Sequence, residues 1–114
     1  MAFVLKQSDT YSWPVSFETP VDGGRHERHS FDGEFKRLPQ SRIRDIGKQI
    51  EDGEILDGAV AAEVLVGWAG VTDADGKEIP FSQKALDQLL DVPLLATAIV
   101  MAYFASLQGA KRKN

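Results

Sequence analysis

The run "YSWPVSFETPVDGGRHERHSFDGEFKRL", Tyr11 to Leu38, decides the fold. Trp13, Val15 and Phe17 alternate with Pro14, Ser16 and Glu18, the period-2 pattern of a strand with one buried face. "VDGG", Val21 to Gly24, reads as a turn, and alternation resumes with Phe31, Gly33 and Phe35 on one side. The three pieces predict a β-hairpin. Pro14 has no N–H to give to a ladder and therefore points to an edge strand. A hairpin alone is marginal in water, so a third strand or a packed helix has to cover it, and "FVLK", Phe3 to Lys6, is a candidate third strand.

Working outward, the period changes after Pro39. Ile43, Ile46 and Ile50 recur at helical spacing behind Ser41, a candidate N-cap. The alanine-rich stretch from Ile55 to Trp68 predicts a second helix, with Gly67 and Gly70 marking its exit. Ser82 should cap a short helix striped by Ala85, Leu86, Leu89 and Leu90. Pro93 suits the first position of a last helix running to Leu107, with Asp91 or Val92 at its cap. The expected architecture is one α+β domain over residues 1–114: an N-terminal β-hairpin or small antiparallel sheet (1–38), followed by about four α-helices (39–114).

"GVTDADGKEIPFS", Gly70 to Ser82, invites a calcium reading. With Gly76 at the sixth place of an EF-hand loop, Asp73 and Asp75 fill the third and fifth, but Val71 and Ser82 fall where the first ligand and the bidentate Glu belong. The stretch therefore predicts a turn, opened by Asp73 and closed by Gly76. No metal site and no cofactor are expected. The chain has no cysteine, which removes disulfides and thiolate zinc. His26 and His29 are three apart on a strand and so point to opposite faces, which does not suit a shared ligand. No serine elbow or phosphate loop occurs, and "GWAG" lacks the lysine a phosphate cradle needs, so no catalytic residue is named and no enzyme is expected.

The net charge of −4 is unevenly spread. Arg25 to Lys48 carries seven cations against four acids, whereas Gln49 to Val92 carries ten acids against two lysines. Pro93 to Gln108 is uncharged, and "GAKRKN" at the end is basic. Such blocks favour protein partners or oriented self-association. Nucleic acid is not expected, because Phe31 and Phe35 share a face with Gly33, which suits packing, whereas a base-stacking platform needs its rings exposed beside the cations. Val92 to Leu107 spans 16 residues, short of the roughly 20 that cross a bilayer, so no membrane span is expected. A helix apolar on nearly all sides should be buried in the core or between subunits. The first residues have no basic head leading into a long apolar run, so they read as mature sequence of a cytoplasmic protein.

Taken in order, "WPVSFETPVDGG", "HSFDGEFKRLPQS", "GWAGVTDADGKEIPFS" and "AYFASLQGAKRKN" resemble the tail assembly chaperones of long-tailed, non-contractile bacteriophages, over nearly the whole chain. The resemblance implies a non-catalytic protein of the host bacterial cytoplasm. Its implied partner is the tape measure protein, kept soluble until the tail tube protein is recruited, with self-association along it. It also implies that this chain is the shorter of two products of a programmed frameshift. On that reading Leu94, Leu95, Ile99 and Tyr103 mark a partner-binding surface shared between core packing and assembly. The alternatives are a structural tail component retained in the particle and, third, a nucleic-acid-binding accessory protein.

Overall fold

The computed structural model describes residues 2–108. Met1 and the basic end, residues 109–114, lie outside the described residues. Strands β1 (Thr10–Val21) and β2 (Arg25–Lys36) form the hairpin, pairing residue by residue from Thr10↔Lys36 to Val21↔Arg25. Gly23 and Gly24 make the turn at φ +83° and +74°, where a side chain would be strained. The core face is the one the alternation marks: Val15, Phe31 and Phe35 are buried. Gly33 belongs to the same row for a steric reason, since a Cβ there would stand 3.0 Å from Leu65 Cδ1 and 3.2 Å from the Phe35 ring.

The third strand comes from an unexpected place. Helix α2 (Asp57–Val64) stops four residues before the predicted end at Trp68, and the chain runs directly into β3 (Leu65–Ala69), which pairs antiparallel with β2. The sheet order is β1-β2-β3. Val64, Val66 and Gly67 are weak helix formers, and β2 offers an edge of backbone partners that rewards extension. Val66 is the extra residue of a bulge between Glu34↔Gly67 and Phe35↔Leu65, so Leu65 is buried on the core face beside Phe35 and Gly67 is buried under the Glu34 side chain on the other. Phe3 to Lys6, the candidate strand, takes no part in the sheet; Phe3, Val4 and Leu5 are exposed instead.

Helix α1 (Gln40–Glu51) begins two residues earlier than a Ser41 cap would require, with Pro39 at the N-cap and no side-chain cap bond. Pro39 itself explains this, because its fixed φ of −68° and extended ψ start the helix without a hydroxyl. Ile46 is its fully buried anchor. Arg42 clamps α1 to α2: its Nε and Nη2 donate to the two carboxylate oxygens of Glu63 at 2.8 and 2.7 Å. That paired bond holds the Glu63 carboxyl below its ordinary pKa and raises that of the guanidinium.

Residues 70–82 form a two-legged ribbon. Thr72 bridges Glu78, and the Gly76 N–H donates to the Asp73 carbonyl at 3.0 Å, with Gly76 at φ +80°. Asp73 Oδ1 accepts from the N–H groups of Asp75 and Lys77, so this carboxylate is occupied in closing its own turn. The ribbon is pinned to the sheet by the Trp68 indole, which donates to the Ile79 carbonyl at 2.7 Å. Helix α3 (Gln83–Leu90) is capped as predicted, Ser82 Oγ accepting from the Ala85 N–H at 3.0 Å.

Helix α4 (Leu95–Leu107) starts two residues later than Pro93 suggests. The Leu95 N–H donates to the Val92 carbonyl at 3.1 Å, closing a turn with Pro93 second and Leu94 third. Leu94 sits at φ 67°, ψ 0°. That is a type II turn, whose third place normally belongs to Gly or Asn. The axes of α3 and α4 differ by 103° across this corner. No single helix among the described residues is long and apolar enough to cross a membrane.

Candidate partner-binding surface

Helix α4 packs one stripe into the protein. Leu95, Ile99 and Tyr103, four residues apart, are all at most 2% exposed. Tyr103 packs at a tilt against Phe35, ring centroids 5.4 Å apart, and its hydroxyl donates to the Lys36 carbonyl at 2.9 Å. Burial raises the pKa of that phenol, which stays protonated as a donor. Tyr11 joins the same end through Ser106 at 2.6 Å.

Of the four residues expected to mark a partner surface, the structure thus brings Leu95, Ile99 and Tyr103 together on the core side and leaves Leu94 apart, 79% exposed at the corner. What the sequence reading did not name is the opposite stripe. Leu94, Ala98, Met101 and Ala105 recur at intervals of four, three and four along the outer face, and Met101 is 66% exposed. Large and small residues alternate here, a profile into which another helix can settle closely. The spacing was available in the sequence; which face the core would take was not.

Two open grooves flank Met101. One, of about 410 Å³, runs between α4 and the hairpin and is lined by Phe17, Glu18, His26, Leu94, Ala98 and Met101. The other, of about 470 Å³, lies toward α1 and α2 and is lined by Ile50, Asp57, Val100, Met101, Phe104 and Ala105. Thr97 stands on the ridge between them, and its hydroxyl donates to Asp57 Oδ2 at 2.7 Å, fixing the ridge to the first turn of α2. Each groove is therefore apolar along its floor, with one carboxylate at its rim.

The two histidines serve the hairpin. His29 lies against Phe17, centroids 5.4 Å apart, and shares a 2.9 Å hydrogen bond with the Thr19 hydroxyl; Glu27 is 3.5 Å away. Among the described residues, no group of three or more His, Cys, Asp or Glu is placed to hold a metal ion.

An uncharged helix with a buried and an exposed apolar face, set on a small antiparallel sheet, defines an α+β protein. Residues 34–108, about two thirds of the chain, match the family model of the YdaY prophage protein. The chain belongs to this prophage protein family. No curated protein and no solved structure matches it.

Proposed function

We propose that this prophage protein is a non-catalytic tail assembly chaperone, which holds helical segments of the tape measure protein against the outer face of α4 in the bacterial cytoplasm and releases them as tail tube protein assembles. The observation that carries this reading is the exposure of Leu94 at the N-cap and Met101 along a helix without a charged residue, flanked by two apolar grooves. An amphipathic partner helix is recognised in this way, by apolar anchors at i, i+3, i+4 and i+7. The carboxylates of Glu18 and Asp57 at the rims favour a partner with Lys or Arg flanking its apolar stripe. Membership of a prophage protein family is consistent with this role.

Co-purification with tape measure protein of the same prophage tests the reading. Met101→Glu should keep its fold and lose at least about tenfold in capture, since one charge is forced into an apolar contact worth more than 1.4 kcal/mol. Capture equal to that of the unaltered chain would reject this surface. Mass spectrometry of mature particles separates a chaperone, which is absent, from a retained tail component, which is present in stoichiometric amount.

A further inference from the structure

The two edges of the sheet are treated unequally. The Arg37 N–H donates to the Asp9 carbonyl at 2.9 Å, which continues the β1–β2 register by one pair and makes it a hydrogen-bonded one. Pairs alternate, so odd-numbered residues of both strands bond across the hairpin, and even-numbered ones turn their N–H and C=O outward. On β1 the outward positions include Pro14 and Pro20, which have no N–H to offer. Prolines at such places blunt an edge against added strands.

On β2 the outward residues are His26, Arg28, Ser30, Asp32, Glu34 and Lys36, the last with its carbonyl taken by Tyr103. Asp32 and Glu34 are paired with β3, but the chain leaves the sheet after Ala69 at Gly70, φ +91°. Among the described residues, no strand pairs with β2 on that side from Arg25 to Phe31. Beside this bare edge is a cavity of about 320 Å³ lined by Phe17, His29, Phe31, Val71, Leu89 and Val92. An unpaired edge with apolar pockets alongside is what strand addition uses: main-chain bonds give affinity, and alternate side chains fill the pockets.

The protein also carries an unpaired apolar segment whose side chains are open to solvent. Phe3, Val4 and Leu5 are 73%, 69% and 86% exposed, three consecutive large apolar side chains with Phe and Val favouring extension. This segment cannot reach its own β2 edge. Asp9 is held opposite Arg37, and the seven residues from there to Ser30 extend about 23 Å along β2. Val4 is five residues from Asp9, which spans at most about 18 Å.

We propose that residues Phe3–Lys6 of one copy add as a strand to the open β2 edge at Arg28–Ser30 of a second copy, placing Phe3 or Leu5 in the cavity beside Phe31. The donor and acceptor surfaces differ, so the contact is heterologous: it propagates head to tail into a ring or an open filament. The donor segment and the β2 edge lie outside residues 34–108, while the cavity also draws Val71, Leu89 and Val92 from within them, and the proposal holds independently of which partner α4 meets.

Sedimentation of the full chain at concentrations up to about 100 µM, well above a micromolar dissociation constant, tests it. The unaltered chain should associate with rising concentration, and its Arg28 and Ser30 amides should gain protection from hydrogen exchange as it does. Phe3→Asp/Leu5→Asp, made in an exposed segment, and Ser30→Pro, which mimics Pro14 at an outward position, should each lower association at least tenfold. Mixed together they should form one-to-one dimers and nothing larger, because each retains the half the other lacks. A chain that stays monomeric, or a Phe3→Asp/Leu5→Asp variant that associates like the original, overturns the proposal. If Ser30→Pro lowers the melting temperature, the amide protection and the double aspartate variant decide.

Discussion

The Tyr103 hydroxyl donates to the Lys36 carbonyl at 2.9 Å, tying the middle of α4 to the last residue of β2. The Leu38 N–H in turn donates to the Tyr103 hydroxyl oxygen at 3.4 Å, so one phenol closes the chain where strand gives way to helix. Tyr103→Phe keeps the ring on Phe35 but strands both backbone groups. It should lower stability by about 1–2 kcal/mol in urea unfolding, with an unchanged m-value.

The Arg42–Glu63 clamp gives a pH dependence of known sign. The folded-state pKa of Glu63 is depressed, chiefly by the hydrogen bonds from Arg42. Its stabilisation is therefore complete above the ordinary carboxylate value of about 4.3 and lost as pH falls through the lower folded value. Glu63→Gln should cost up to about 1 kcal/mol at pH 7 and show a shallower loss of stability below pH about 4.5 than the unaltered chain.

Leu94 occupies a left-handed position at φ 67°, where a side chain costs roughly 1–2 kcal/mol. Its side chain is 79% exposed, so little packing repays this. Leu94→Gly should raise stability by about 0.5–1 kcal/mol, the relief being partly offset by the greater freedom of glycine in the unfolded chain. On the proposed function the same variant binds tape measure protein more weakly. A melting temperature that rises while capture falls would separate the two roles of this leucine.

Gly33 tests the sheet from within. Gly33→Ala places a methyl 3.0 Å from Leu65 Cδ1 and 3.2 Å from the Phe35 ring. Overpacking of this kind costs about 1–3 kcal/mol, and exchange of the β3 amides should accelerate before those of β1.

The hairpin was legible because its code is local: alternation on both strands and two glycines at the turn. The Ser82 cap was legible for the same reason. Strand β3 was not, since Val64 to Trp68 continues an apolar, alanine-rich run and becomes a strand only because β2 lies beside it. At Pro93 the local rule competed with a turn, and the turn prevailed by forcing Leu94 into a conformation leucine seldom adopts. The outer stripe of α4 was hidden by its own uniformity. In a helix without charges, no polar face tells which apolar side will be left outside, so Leu95, Ile99 and Tyr103 were as eligible as Met101 until the Phe35 side of the sheet claimed them.

The direct passage from α2 into β3 has a practical side. With no linking residue between Val64 and Leu65, any inserted residue would rotate Leu65 off the core face of β3 or drag Glu63 from Arg42. The exposed tip at Asp22–Gly24, by contrast, supports nothing beyond its own turn. A fluorophore or epitope belongs there, a permissive handle at one end of a chain whose central joint admits no added length.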